Sequence, residues 1–297
     1  MIKRKFKSFD DKEVSYLFFE SKRSKSKKNV LIIHGMMEHT ERYSEFSEFL
    51  SNNGHNVYVL DLRGHDDFRI NNKAATFSKG EGVDAIIEDM KILIEKEMQE
   101  LPVIFGHSFG TSVSLEYAIR NNEIDRLILS APIYMGGFGK FFGRIVAGIE
   151  GIFIKNGKSV LNGVFKSYNK HFKPNRTKND WLSRDESAVD KYTNDPNCGF
   201  GATPRFFSEF IKSTKYMNKN ENKINRYTKI LVVYGTKDPA TGNGKSVERL
   251  RKKIRSIDRK INIVENKEGR HESLNEINKY EIYDSILEWL NKLPELE

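Results

Sequence analysis

The chain has 297 residues, 38% hydrophobic and 31% charged, enough apolar material for one large α/β domain with an insertion or for two modest domains. Lys and Arg number 50 against 41 Asp and Glu, a formal charge of +9, and a single cysteine, Cys198, excludes an internal disulfide and, alone, a structural zinc site. No apolar run reaches the ~18 residues that a bilayer span needs, and no apolar stretch follows the basic start MIKRKF, which reads against a signal peptide. The expectation is a soluble cytoplasmic protein, peripheral at a membrane surface if it touches one.

Strand-like runs recur along the chain with helical patterns between them. Val14–Glu20 comes first, followed by Lys22, Arg23, Lys25, Lys27 and Lys28, five bases within seven residues. Such a run is ordinarily a solvated loop. Without interleaved aromatic residues it offers no stacking platform, so nucleic acid is not an expected partner. Val30–Ile33 and Val57–Asp61 are the next strands, separated by a helix over Glu41–Asn53 that Gly54 stops. Val83, Ile87, Met90, Ile94 and Met98, spaced by three and four, predict an amphipathic helix. Pro102–Gly106, Leu127–Ala131, Ile230–Gly235 and Ile261–Glu265 follow as strands. A last helix carries Ile282, Ile286, Trp289, Leu290 and Leu293 before Pro294. Most of the strand runs are short, continuous and β-branched, the pattern of strands buried on both faces of a parallel sheet. Their alternation with helices predicts an α/β fold, a mostly parallel central sheet flanked by helices.

From Pro132 to about Phe207 no strand pattern interrupts the chain, and a structureless loop of that length is improbable. The spacing therefore predicts an inserted, mostly helical cap at 132–205 on a core made of 1–131 and 206–297. The insertion opens with Phe138, Phe141, Phe142, Ile145, Val146, Ile149, Ile152 and Phe153. Such residues pack onto the core, or form the apolar underside of a cap over a pocket, or touch lipid.

Gly106-His107-Ser108-Phe109-Gly110 joins the strand Pro102–Gly106 to a predicted helix over Thr111–Asn121. A GxSxG sequence between strand and helix is the pattern of a nucleophile elbow, where flanking glycines permit a turn too tight for ordinary side chains. A serine hydroxyl needs a base to take its proton. Two of the seven histidines follow Ser108. His171 lies in the insertion, whereas His271 sits in a polar loop between the last predicted strand and the last helix and is the candidate base. Asp238 stands just beyond Ile230–Gly235, at the ligand-binding edge of an open sheet, and is the candidate acid ahead of Asp190 and Asp195 in the insertion.

The loop His34-Gly35-Met36-Met37-Glu38-His39 follows Val30–Ile33. Acyl transfer needs two backbone N–H donors for the oxyanion, and Met36 and Phe109 are best placed to supply them. A metal reading of His34, Glu38 and His39 lacks the HExxH spacing and a third ligand cluster. Gly244-Lys245-Ser246 resembles the end of a phosphate-binding loop, but Pro239 stands where its first glycine should be. Gly137-Phe138-Gly139 has its next glycine at Gly143, one residue too late for GxGxxG. Neither supports a nucleotide, and no metal or organic cofactor is expected.

Together HGMMEH, DLRGH (61–65), GHSFG, DPNCGF (195–200), GTKDP and GRHESLNE resemble, in content and order, the monoacylglycerol lipase and lysophospholipase-like α/β-hydrolases. The resemblance runs from about Val14 to Leu293. It implies the α/β-hydrolase fold, with Ser108 as nucleophile, Asp238 and His271 as its partners, the Met36 and Phe109 amides as oxyanion hole, and a mobile cap over an acyl pocket. Asp66 departs from the family's usual glycine, and Phe109 stands where methionine is common. The first touches a turn beside the pocket; the second leaves the backbone donor intact.

The expected reaction is ester hydrolysis through an acyl-enzyme on a small amphiphilic ester, a monoacylglycerol or lysophospholipid, with transient contact at a membrane surface. Other carboxylic esters, or amides including peptide-like substrates, use the same three side chains and stay open. A binding protein on the same fold would ordinarily have lost one of them. Oligomeric state is not legible.

Overall fold

A computed structural model describes residues 1–23, 28–65, 74–133, 146, 148, 150, 157–255 and 261–292. The Phe/Ile pattern from Phe138 to Phe153, apart from Val146, lies outside the described residues, as do Lys25, Lys27, Asp66, Leu293 and Pro294.

Eight strands form one sheet: β1 (Ile2–Lys7), β2 (Glu13–Phe19), β3 (Asn29–Ile33), β4 (Asn56–Leu60), β5 (Val103–His107), β6 (Arg126–Ser130), β7 (Lys229–Gly235) and β8 (Ile261–Asn266). Their order is β1-β2-β4-β3-β5-β6-β7-β8. From β4 to β8 every pairing is parallel, while β2 runs antiparallel to both β1 and β4.

One feature departs from the sequence reading: the first run of the chain is a strand, which pairs antiparallel with Val14–Phe19 at the edge of the otherwise mostly parallel sheet. The reason is local: β1 exposes all its residues except Phe6, so its sequence, IKRKFK, reads as charge rather than strand. Such a charged edge is also what keeps an open sheet from pairing with another chain. A tight turn with Asp11 at φ 61° then returns β2 alongside.

In the parallel strands alternate residues serve opposite faces. Leu31, Ile33, Tyr58, Leu60 and Ile104 pack with helices α2 (Val83–Glu97), α3 (Phe109–Arg120) and α6 (Pro204–Asn220). Val30, Ile32, Val57, Val59, Val103 and Phe105 pack with α1 (Ser44–Asn52) and α8 (Lys279–Asn291). With both faces covered, the short all-apolar runs have nowhere to be but the middle of the molecule.

Between β6 and β7 the described residues 157–203 hold α4 (Gly163–Asn169), α5 (Glu186–Asn194) and short turns, with a lone bridge from Ala75 to Ala202. Helix α6 starts at Pro204, and the Thr203 side chain accepts a hydrogen bond from Phe206 N at its first turn. The 205/206 boundary thus falls in the first turn of a helix. Helix α7 (Lys245–Arg255) connects β7 to β8.

Candidate active site

The C-terminal ends of β3, β5, β7 and β8 open toward one side of the sheet, and the loops that leave them meet there. Ser108 follows β5 with φ 50° and ψ −112°, a conformation strained for any residue but glycine. Its neighbours explain how so tight a turn packs. A Cβ on Gly106 would lie 2.5 Å from Gly110 O, and one on Gly110 would lie 2.1 Å from Ile33 O. Both glycines therefore let α3 start directly against β3 and β5.

His271, in the loop after β8, places Nε2 3.0 Å from Ser108 Oγ and Nδ1 2.9 Å from Asp238 Oδ2. Asp238 is fully buried, with its other oxygen accepting from Ala240 N at 2.8 Å. Burial alone lowers the His271 pKa, but the charge and hydrogen bond of Asp238 more than offset it and hold it above the ordinary histidine value. The adjacent His107 ring lies 5.0 Å from His271, and burial, then the charge of His271, pushes its pKa down to about 4. Near neutral pH only one of the two rings can take up a proton.

Met36 lines the cavity above Ser108, and Phe109 is the first residue of α3. No acceptor among the described residues engages the backbone N–H of either. The Phe109 amide is one of the unpaired donors at the positive end of a helix. The Phe109 side chain points away, into the core against Phe206 at 5.0 Å and Phe210 at 5.5 Å.

The Met36 loop is fixed by contacts that its sequence does not show. His34 and His65 each accept a backbone N–H on Nε2, from Leu62 at 3.2 Å and from Met37 at 3.0 Å. Accepting on Nε2 leaves the ring proton on Nδ1, where His34 meets Gly35 O at 2.8 Å. Burial lowers the His34 pKa to about 4, which keeps it in that neutral form. Glu38 Oε1 accepts from Gly35 N at 2.5 Å and Tyr43 Oη at 2.9 Å, and Oε2 pairs with Arg42. Arg42 in turn grips Glu272 with two bonds, of 2.8 and 2.6 Å. One buried guanidinium thus ties the Met36 loop to the residue after His271, across 230 positions of chain.

The His271 loop has a second anchor. Glu272 N donates to Leu182 O at 2.8 Å, Arg270 donates to the carbonyls of Asp180 and Ser183, and Trp181 lies 4.8 Å from the His271 ring. Residues 180–183 are thus bound to the loop that carries His271. The metal reading of His34, Glu38 and His39 dissolves, because the first two face separate partners and His39 pairs with Asp195 at 2.7 Å. His39, Asp195 and Cys198 offer donor atoms within 4.8 Å of one another. Burial raises the Cys198 thiol pKa far above its ordinary value, so with no metal cation beside it the thiol stays protonated. His171 and Asp190 make no contact with Ser108 or His271; Asp190 pairs with Arg176.

Above Ser108 and His271 opens a cavity of about 580 Å³. Leu161, Phe165, Trp181, Phe207, Phe210 and Ile211 make much of its wall apolar.

The sequence family described as serine aminopeptidase, S33, matches residues 24–278. The chain belongs to that family. A putative monoglyceride lipase of Schizosaccharomyces pombe is 26% identical over 225 residues, covering 74% of this S33 chain and 56% of the yeast protein. The monoglyceride lipase of Saccharomyces cerevisiae is 28% identical over 144 residues, 43% of each chain. The chain thus spans about half the length of these curated relatives. A thermostable carboxyl esterase from Bacillus coagulans, crystallised with glycerol, superposes with a TM-score of 0.86 over 98% of this chain and 97% of its own, at 21% identity. At that identity the likeness speaks for the α/β-hydrolase fold alone.

Proposed function

We propose that the chain hydrolyses carboxylic esters of single-acyl-chain lipids, a monoacylglycerol or lysophospholipid, with Ser108 as nucleophile. One observation carries this reading: the hydrogen-bonded series Ser108–His271–Asp238 opens on an apolar cavity large enough for a small-molecule substrate. The names of the yeast relatives support the lipid ester.

His271 takes the Ser108 proton as Oγ attacks the carbonyl carbon, and the Met36 and Phe109 amides receive the oxyanion. Asp238 holds the imidazole in the tautomer that accepts on Nε2 and stabilises the imidazolium. His271 then protonates the leaving alcohol, and a water that it deprotonates releases the fatty acid. The segment 132–205 serves as a cap that excludes water from the acyl chain. No helix among the described residues is long and apolar enough to cross a membrane.

An acyl series of p-nitrophenyl esters tests the substrate class. Lengthening the chain from acetate to octanoate raises kcat/KM on the order of tenfold or more, since each buried methylene contributes about 0.8 kcal/mol. The family's description keeps peptide-like amides as a second reading. Faster cleavage of acetate, or of aminoacyl anilides, overturns the lipid assignment.

The pH profile tests the base. Imidazolium cannot accept the serine proton, so kcat/KM falls with decreasing pH as His271 protonates. Because Asp238 raises that pKa, the acid limb bends above pH ~6.5, the value of a free histidine. An inflection below pH ~6 contradicts the assigned role.

A further inference from the structure

Gly244-Lys245-Ser246, set aside as a phosphate-loop fragment, begins α7 in the wall of the cavity, where Lys245, Ser246 and Arg249 all line it. We propose that Lys245, Ser246 and Arg249 form a subsite for an anionic group, phosphate or carboxylate, on the substrate, which makes the preferred ester an anionic one. This rests on the lipid-ester reading above and narrows it.

Three observations converge. Lys245 and Arg249 stand one turn apart on the same side of α7. Neither has an ion-pair partner among the described residues, whereas Arg251 and Lys252 on the same helix both pair with Glu248. The two carboxylates that line the cavity, Glu38 and Glu272, are both engaged by Arg42. The unmatched charge facing the cavity is therefore positive.

The third observation concerns Ser246. It is 7% exposed, and its hydroxyl has no hydrogen-bond partner among the described residues, although its backbone N–H is satisfied by Thr241 O at 2.9 Å. That hydroxyl is not sealed off, and Ser246 lines the cavity, so it can donate to a ligand there. An anion would accept from that hydroxyl and from both cations. The guanidinium can add a bidentate contact, and the first turn of α7 contributes the positive end of its dipole. Both cations are exposed, so a neutral glycerol head group would leave them to water.

Calorimetric titration with glycerol 3-phosphate, glycerate and glycerol, in the wild type and in Lys245→Gln/Arg249→Gln, tests the subsite directly. The wild type is expected to bind an anionic probe on the order of tenfold more tightly than glycerol, and the double variant to lose that preference. Stronger binding of glycerol 3-phosphate assigns a phosphate; equal or stronger binding of glycerate assigns a carboxylate. Ser246→Ala, which keeps both charges, should weaken the anion several-fold. The proposal is overturned if the wild type binds glycerol as tightly as either anion, or if the double variant keeps the preference.

A second comparison separates this idea from the reading it rests on. The ratio of kcat/KM for 1-dodecanoylglycerol 3-phosphate to that for 1-dodecanoylglycerol should fall about tenfold in the double variant. Cleavage of both lipids with an unchanged ratio removes the subsite and keeps the lipid esterase. Cleavage of neither, with the calorimetric preference intact, keeps the subsite and removes the lipid ester.

Discussion

Ser108→Ala abolishes labelling by a fluorophosphonate probe and lowers kcat by on the order of 10⁶, the loss seen when a serine hydrolase is stripped of its nucleophile. The expectation follows from geometry. The hydroxyl is 3.0 Å from an imidazole that is itself held 2.9 Å from a buried carboxylate, so proton transfer needs no rearrangement. Alanine keeps a Cβ at φ 50°, so the strain of the turn is little changed and the variant should melt close to the wild type. A large rate loss at unchanged Tm is then a chemical effect. Residual activity near that of the wild type removes Ser108 from the reaction. A wild type that fails to label, yet binds lipid, instead favours a binding protein on a hydrolase fold.

Much of this site was legible because the chemistry stands next to strands. Ser108, Asp238 and His271 each lie within five residues of the end of a short strand, fully buried in β5, largely buried in β7 and only partly buried in β8, and a parallel sheet delivers the ends of such strands to one edge. What was not legible is the set of long-range contacts that hold those loops still. Nothing local to Arg42 indicates that it meets Glu272, 230 positions away, and Trp181 gives no sign of packing on His271. Lys245 and Ser246 posed the opposite problem. Their local pattern suggested the wrong motif, and only the fold shows that they border the same cavity as Ser108. The edge strand β1 was hidden by its charge, since a strand that buries a single side chain has no period to detect.

Arg63→Met is expected to destabilise the fold by about 3–5 kcal/mol, the usual consequence of leaving a buried ion pair with one partner. In a chain of this size that lowers Tm by on the order of 10 °C. The Arg63 side chain is fully buried. It holds Asp89 through two bonds of 2.6 and 2.9 Å, Asp10 through two of 2.5 and 2.8 Å, and Glu81 at 2.9 Å. One guanidinium therefore joins the β1–β2 turn, helix α2 and the segment before that helix to the loop after β4. Methionine fills a similar volume but leaves the buried Asp89 carboxylate without its cation. The hydrogen bond to Arg63, opposed by burial and helped by its charge, holds Asp10 at a pKa of about 2. A carboxyl depressed in the folded state contributes stability above its unfolded pKa and loses it as pH falls through the folded value. Burial holds the Asp89 carboxyl above its ordinary value even with Arg63 beside it. The gap between wild type and variant should accordingly be widest near neutrality and narrow as pH falls, first as Asp89 takes up a proton and then through the Asp10 value of about 2. Arg63→Lys, which keeps the charge but not the paired hydrogen bonds, should fall between the two. A variant that melts within 2 °C of the wild type at pH ~7 contradicts this account. Activity should decline together with stability, because His65, two residues on, accepts the Met37 N–H and so fixes the loop that presents Met36. The charge cluster at the sheet edge and the proposed oxyanion donor then stand or fall with the same short loop.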